Sequence, residues 1–139
     1  MMVSRCVLDA CALAAIFEKE QGSEVVLDIL LKAKEGKMDV FMNKLNFFEV
    51  YYVTLRRKGL DAAEEFLTTS LDMPIVIIDG MTDELMREAG RFKTSYKMSL
   101  ADAIALGQAS VLDASLVTAD RHELEAVENG ESIDFTWIR

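Results

Sequence analysis

The sequence predicts an α/β fold in which a parallel sheet lies between layers of helices. Strand-like runs alternate with helix-like runs along the whole chain, as in folds whose parallel strands are joined by helices. The clearest strand, residues 74–79, is apolar and rich in β-branched side chains, which is typical of strands buried on both faces. The chain has 139 residues, a length that suits one core, so we expect a single domain over residues 1–139.

Glycine residues and capping side chains mark the ends of most expected elements. The first strand is expected at residues 5–8, and it leads into a helix over residues 11–20. Ser23 is expected to cap a second helix that runs to about Lys34. The other strands are expected at 39–42, 74–79, 115–118 and 133–138, and the other helices at 44–58, 61–70, 82–96, 99–113 and 121–127.

The helix expected at residues 44–58 carries an apolar stripe. Leu45, Phe48 and Tyr52 recur at helical spacing, and such a stripe normally faces the core. We therefore expect these three side chains to be buried, with Glu49 at the edge of the stripe.

Composition restricts the kinds of site that this chain can form. Only one histidine, His122, and two cysteines, Cys6 and Cys11, are present. These are too few for a zinc site built from histidine and cysteine or for a disulfide framework. Any metal would be bound by oxygen atoms, which favours Mg²⁺ or Mn²⁺.

The net charge of −9 argues against a simple electrostatic nucleic-acid binder, which should be basic. It is compatible with an enzyme whose acidic pocket binds divalent cations. No apolar run approaches the roughly 18 residues of a membrane span, and the first residues do not resemble a signal peptide. A cytoplasmic location is therefore expected.

Acidic side chains occur at four places where a charge is costly, either directly after a strand or inside an apolar helix. They are Asp9, Glu49, Asp102 and Asp120. Burying an ionised carboxylate is unfavourable unless something compensates for it, and sites in open α/β sheets form beyond the carboxyl ends of the strands. The four carboxylates are therefore predicted to converge on a metal ion.

Each of these carboxylates also has a structural explanation, because a polar side chain near the start of a helix can bind free backbone amides. Asp9 could cap the next helix in this way. The other three could act within capping motifs: Glu49 with Asn46, Asp102 with Ser99, and Asp120 with Glu123. Only the joint pattern favours a functional site over these alternatives.

The same residues, in this order, resemble the PIN-domain family of nucleases and, more narrowly, the VapC-type ribonuclease toxins of type II toxin–antitoxin pairs. The resemblance covers essentially the whole chain and implies a three-layer α/β/α, PIN-like fold. About five parallel strands would follow the order 3-2-1-4-5, with helices on both faces. The matching stretches are Val7-Leu8-Asp9, Asn46-Phe47-Phe48-Glu49-Val50, Ser99-Leu100-Ala101-Asp102-Ala103, Leu116-Val117-Thr118-Ala119-Asp120 and Phe135-Thr136-Trp137-Ile138.

The resemblance implies metal-dependent hydrolysis of RNA phosphodiester bonds, with water as the nucleophile. The implied catalytic and metal-binding residues, around one or two Mg²⁺ or Mn²⁺ ions, are Asp9, Glu49, Asp102 and Asp120. Family members usually carry a serine or threonine one or two residues after the first aspartate, whereas Ala10 and Cys11 follow Asp9 here. Thr118, two residues before Asp120, still fits a supporting role.

An acidic protein needs local positive charge to attract RNA. Basic residues that precede the Asp102 helix are candidates for this contact, although a solvated helix face is the alternative. They are Arg87, Arg91, Lys93 and Lys97. The family also implies a homodimer and a cognate antitoxin protein that inserts a segment near the pocket.

Other functions remain open from the sequence. A PIN nuclease of RNA processing, outside any toxin pair, would use the same site, and the neighbouring gene would distinguish the two. A catalytically silent PIN-fold binding module is favoured only by the missing hydroxyl after Asp9. A receiver-like signalling domain is disfavoured because the surroundings of Asp79, at the end of the third strand, do not otherwise fit.

Overall fold

The computed structural model describes residues 3–139. Within them, five strands alternate with seven helices. The strands are β1 (Ser4–Leu8), β2 (Met38–Asn43), β3 (Val76–Ile78), β4 (Ser115–Thr118) and β5 (Phe135–Trp137). The helices are α1 (Ala10–Phe17), α2 (Ser23–Lys34), α3 (Lys44–Lys58), α4 (Leu60–Leu71), α5 (Asp83–Ser95), α6 (Leu100–Leu112) and α7 (Arg121–Gly130).

The five strands form one parallel sheet in the order β3-β2-β1-β4-β5, so the predicted fold class and strand order are confirmed. Strand β1 lies at the centre, with Val7 paired to Phe41 of β2 and to Leu116 of β4. The backbone amide of Asp9 extends this pairing by donating to the carbonyl of Val117 at 3.2 Å. The carboxyl ends of β1 and β4 therefore lie side by side, at the point where the chain reverses its direction across the sheet.

Two apolar clusters fill the space on the two faces of the sheet. Helices α1 to α4 contribute to one cluster, which includes Leu13, Ile29 and Phe66. Helices α5 to α7 contribute to the other, around Phe92 and Leu124. The α5–α6 pair is especially close, because a Cβ atom on Gly107 would lie 2.9 Å from the backbone nitrogen of Ala89. This packing fixes the position of α6 and, with it, of Asp102.

Several element ends differ from expectation. Ser23 does not cap α2, because the N-cap is Gly22, which makes no side-chain capping bond. Gly22 has φ +98°, and a Cβ atom there would collide with the backbone oxygen of Ile138, so the entry to α2 is set by a close backbone approach. Helix α1 stops at Phe17, since Lys19 adopts a left-handed conformation with φ 53°.

The prediction for the apolar stripe of α3 is wrong. Leu45, Phe48 and Tyr52 are 36%, 54% and 38% exposed, whereas Asn46 and Phe47 on the opposite side are buried. The helix begins directly after β2, and Asn43 caps it by accepting from the amide of Leu45 at 2.9 Å. This connection, rather than the count of apolar side chains, sets which face of α3 meets the core.

No helix within residues 3–139 combines the length and the apolar character that a membrane crossing requires.

Candidate metal centre

A cavity of about 170 Å³ lies beyond the carboxyl ends of β1 and β4. All four of the acidic side chains singled out in the sequence line it, and we refer to it as the carboxylate cavity. Its lining residues are Asp9, Ala10, Cys11, Asn46, Glu49, Ser99, Asp102, Asp120 and Glu123. The convergence expected from the sequence is therefore present in the fold, together with a fifth carboxylate, Glu123.

Two of these carboxylates follow neighbouring strands and cap the helices that come next. Asp9 Oδ1 accepts from the Ala12 amide at 2.9 Å, and Asp120 Oδ1 accepts from the Glu123 amide at 3.2 Å. The caps fix the direction of each carboxylate while occupying one oxygen. The capping explanation and the converging-site explanation thus both hold for Asp9 and Asp120.

The other two expected carboxylates come from helices on opposite faces of the sheet. Asp102 lies in the first turn of α6, where its amide donates to Ser99 Oγ at 3.1 Å. Glu49 lies in α3, one turn after Asn46. The alternative explanation of a capping box between these two residues does not hold, because the cap of α3 is Asn43 and Asn46 lies inside the helix.

Burial makes Asp9, Asp102 and Glu49 harder to ionise, and repulsion between carboxylates adds to this at Asp9 and Asp102. Desolvation raises the pKa of Asp9 from 3.8 to about 7, and the neighbouring charges of Asp102 and Asp120 raise it further. Desolvation also raises the pKa of Asp102 to about 6, with added repulsion from Asp120, Glu123 and Glu49. The pKa of Glu49 is raised by partial burial.

The negative charges of the cavity also act on Cys11. This residue occupies the place where the family usually carries a hydroxyl. Burial raises the pKa of its thiol from 9.0 to about 12, and the charges of all four expected carboxylates contribute to the rise. The thiol therefore stays protonated at neutral pH. In the metal-free protein it is therefore not an activated nucleophile.

Thr118 is fully buried beneath the cavity. Its Oγ1 accepts from the amide of Asp120 at 3.1 Å, and its hydroxyl lies near enough to Asp9 to oppose part of the rise in that residue's pKa. It does not complete a hydrogen bond of normal geometry to Asp9 Oδ2, which has no partner. Thr118 thus binds the backbone of Asp120 and lies close to the carboxylate of Asp9.

The donor set of the cavity fits a hard divalent cation. Carboxylate oxygens dominate it, and within residues 3–139 no lysine, arginine or histidine lines it. Two oxygens of its wall, Asp9 Oδ2 and Asn46 Oδ1, are buried without a hydrogen-bond partner, which is costly unless a ligand or water satisfies them. Mg²⁺ and Mn²⁺ accept such oxygen ligands.

The acidic side chains lie further apart than the ligands of a directly bound ion would. Over the described part of the chain, no three His, Cys, Asp or Glu side chains are grouped closely enough to hold a metal ion. Binding would therefore need carboxylate rotations or bridging waters, which Mg²⁺ commonly retains.

The four basic residues proposed for RNA contact do not line the carboxylate cavity. Arg91 is engaged elsewhere, with its guanidinium 2.9 Å from both Glu88 and Glu131. Glu131 follows the carboxyl end of α7, roughly 16 Å along that helix from Asp120 at a rise of about 1.5 Å per residue. Lys93 donates to the carbonyl of Met98 at 2.9 Å. These contacts favour structural roles for Arg91 and Lys93, while Arg87 and Lys97 stay predictions.

Sequence reasoning did not select Glu123 or Asn46 as members of the site. Each lies three residues from a selected carboxylate, as its capping partner, and Asn46 also begins the stretch Asn46-Phe47-Phe48-Glu49-Val50 that resembles the family. That spacing places both residues of a pair on the same side of a helix. The helical neighbours of a predicted ligand were therefore the signal that could have identified them.

The architecture is shared with solved structures of low sequence identity. A toxin–antitoxin complex from Klebsiella pneumoniae contains a chain that is 15% identical, with a TM-score of 0.72 over 96% of this chain and 98% of that one. VapBC2 from Rickettsia felis, bound to a DNA fragment from its promoter, gives 17% identity and a TM-score of 0.73 over 95% and 97%. VapC20 of Mycobacterium tuberculosis, described as a toxin that cleaves the sarcin–ricin loop, is 15% identical. It gives a TM-score of 0.60 over 79% of this chain and 85% of that one.

At these identities the structural matches show a common fold. No curated protein sequence matches this one significantly. The family model of the PIN domain, however, matches residues 6–129, a range that includes every residue of the carboxylate cavity. The chain is therefore a member of the PIN domain family.

Proposed function

We propose that this protein is an Mg²⁺- or Mn²⁺-dependent endoribonuclease that hydrolyses RNA phosphodiester bonds in the cytoplasm. The observation that carries the proposal is the carboxylate cavity, where five acidic side chains lie together without a positive charge among the described residues that line it. Such an arrangement is unfavourable in the metal-free protein, because burial and repulsion raise the pKa of both Asp9 and Asp102. A divalent cation would remove that cost.

A bound cation would supply a water of lowered pKa and neutralise charge on the scissile phosphate. The protein's own contribution is to hold two carboxylates in place through the Ala12 and Glu123 amides, while the Thr118 hydroxyl binds the backbone amide of Asp120. Asp9 and Asp102 must lose their protons for the site to form. With the Cys11 pKa at about 12, no thiolate competes with water as the nucleophile. Water then adds to phosphorus as one P–O bond breaks, and the leaving oxygen takes a proton.

We further propose that the protein is the toxin of a type II toxin–antitoxin pair. Solved structures with the same fold include toxin–antitoxin complexes. A second cavity, of about 270 Å³, adjoins the carboxylate cavity between α1 and α3 and shares Ala10, Cys11 and Glu49 with it. An inserted antitoxin segment would fit there, with a basic side chain directed to the carboxylates. The genomic neighbourhood tests this point, since a PIN nuclease of RNA processing would have no adjacent antitoxin gene.

A homodimer is supported by the exposed apolar face of α3. Leu45, Phe48, Tyr52 and Leu55 are all at least 36% exposed, and the rings of Phe48 and Tyr52 contact each other with centroids 5.4 Å apart. Contiguous exposed apolar surface of this kind marks interaction sites. Light scattering on Phe48→Glu should show a monomer where the wild type is a dimer. Leu71→Glu, at another exposed leucine, is the matched control and should leave the dimer intact.

The experiment that tests the metal site is thermal unfolding of EDTA-treated protein with and without millimolar Mn²⁺. A ligand that binds only the native state stabilises it in proportion to RT ln(1 + [L]/Kd). We expect a clear rise in Tm for the wild type and none for Asp102→Asn, and the same pair should differ in cleavage of an RNA substrate. A wild type with no response to Mn²⁺ and no cleavage would contradict the proposal and favour a catalytically silent binding module.

A further inference from the structure

Asn46 is a buried amide that the structure satisfies only in part. It lies inside α3 and is 1% exposed. Its Nδ2 donates to the carbonyl of Ala101 at 3.0 Å, but its Oδ1 is buried and has no hydrogen-bond partner. An unsatisfied buried acceptor destabilises the folded state, and asparagine is also a weak helix former. Neither feature is explained by the fold alone.

The neighbouring Asn43 shows what a purely structural asparagine looks like here. It is also buried, at 5% exposure. Its Nδ2 donates to Gln108 Oε1 and its Oδ1 accepts from the Leu45 amide, both at 2.9 Å. Asn43 does not line the carboxylate cavity, whereas Asn46 does. The asparagine beside the cavity is thus the one with a free acceptor.

The position of Asn46 connects the two helices that bring carboxylates from opposite faces of the sheet. It precedes Glu49 by one turn of α3, and its partner Ala101 directly precedes Asp102 in α6. Since the Nδ2 bond fixes the plane of the amide, the orientation of Oδ1 is fixed as well. A neutral oxygen is thereby held in a wall otherwise dominated by carboxylates.

We propose that Asn46 is a positioning residue of the metal site, whose Oδ1 accepts a hydrogen bond from a water carried by the bound cation. This inference rests on the proposed function. A neutral acceptor orients a cation-bound water without adding to the repulsion among the five carboxylates. Contact through water also agrees with the separation of the acidic side chains in the metal-free protein, because Mg²⁺ keeps several of its waters in proteins.

Calorimetric titration of Mn²⁺ into EDTA-treated protein tests the assignment without using catalysis. Asn46→Leu removes both polar atoms, and it should weaken Mn²⁺ binding by about 10- to 100-fold, the usual effect of losing an outer-sphere partner of a metal site. Asn46→Asp keeps an oxygen but loses the donor to Ala101. It should bind Mn²⁺ at least as well as the wild type, although the metal-free protein is less stable.

Asn43→Ser is the matched control. It keeps the capping oxygen of α3 but loses the bond to Gln108, so it should lower the Tm of the metal-free protein and leave the Kd for Mn²⁺ unchanged. If Asn46→Leu does not fold, Asn46→Ala replaces it with the same expectation.

Two results would overturn the proposal for Asn46 alone. One is wild-type affinity for Mn²⁺ in Asn46→Leu or Asn46→Ala. The other is an Asn46→Asp variant that binds Mn²⁺ as weakly as Asn46→Leu, because the bond from Nδ2 to Ala101, and not Oδ1, would then determine the affinity. A wild type that does not bind Mn²⁺ would instead overturn the metal site itself, and this assignment with it.

Discussion

Glu88 and Glu131 lie around Arg91 on the outer side of α5, whereas Asp9, Asp102 and Asp120 lie together in the carboxylate cavity. Arg91 reaches both glutamates at 2.9 Å, and its hydrogen bonds lower the pKa of Glu88. In the cavity, burial and repulsion raise the pKa of Asp9 and of Asp102. The same kind of side chain is thus stabilised in its charged form in one region and destabilised in the other. The cluster around Arg91 has its own counter-ion, whereas the carboxylate cavity has none among the described residues that line it.

Replacing Asp9 with asparagine should have the largest effect of the substitutions proposed here, because it removes a charge from the carboxylate cavity. Asparagine keeps the cap to the Ala12 amide and removes a charge that the fold buries. At pH 8 the metal-free variant should be more stable than the wild type by roughly 1–3 kcal/mol, because each unit of pKa shift corresponds to about 1.4 kcal/mol. RNA cleavage should be lost. Chemical denaturation at pH 8 in EDTA measures the difference in the free energy of unfolding.

The control for Asp9→Asn is Asp134→Asn, which alters an exposed aspartate outside the carboxylate cavity. It should change neither stability nor cleavage. An Asp9→Asn variant that is less stable than the wild type at pH 8 would show that the ionised carboxylate is already compensated in the metal-free protein.

The second prediction concerns pH. Asp9 and Asp102 have pKa values of about 7 and about 6 in the folded protein, against 3.8 ordinarily. The folded state therefore binds more protons than the unfolded state between these values, and the free energy of unfolding should fall as the pH rises from about 4 to about 7. Affinity for Mn²⁺ should rise over the same range. Denaturation and titration across this range measure both, and Asp9→Asn should flatten both curves.

The third prediction gives the carboxylate cavity a positive charge of its own, as Arg91 provides for Glu88 and Glu131. Glu123→Lys would place a positive charge on the wall of the cavity, and should lower the pKa of Asp102. Binding of Mn²⁺ should weaken roughly ten- to a hundredfold, because a charge about 4 Å away is worth on the order of 1–4 kcal/mol outside the dry interior. Glu125→Lys, at an exposed position of the same helix, is the control. Equal weakening by both would mean that net charge, rather than the cavity, governs affinity.

The smallest effect is expected at Arg91. Arg91→Met removes both ion pairs but retains an apolar stem, and exposed pairs contribute about 1 kcal/mol or less. The variant should be slightly less stable at pH 7. Since Arg91 lowers the pKa of Glu88, the difference should vanish as the pH falls through that pKa. The Mn²⁺-induced rise in Tm should be unchanged, and its loss would place Arg91 in the metal site after all.

The sequence predicted the sheet and the convergence of the carboxylates for a simple reason. Asp9 and Asp120 come directly after strands, and all parallel strands end at the same edge of a sheet. The orientation of α3 was not predictable in this way. Its exposed residues include four large apolar or aromatic side chains beside four basic ones. Only the connection from β2 and the bond from Asn46 to Ala101 decide which side meets the core.

Asn46 and Glu123 were missed for a related reason. A neutral amide and a residue in the first turn of a helix both have ordinary structural explanations. Their importance appears only when the wall of the cavity is assembled from α3, α6 and α7. Positions that follow strands can be recognised one at a time, whereas positions on helix faces depend on how the helices pack.

The pairing of β1 with β4 has a consequence for the order in which the molecule is built. Asp9 is translated before Asp120, which follows β4, and the chain must close a long loop to bring the two residues together. Loops of that length close late and slowly. A nascent chain whose β4 is still inside the ribosome therefore has an incomplete carboxylate cavity. The cavity that would bind the cation is thus assembled only after Asp120 and Glu123 have been made.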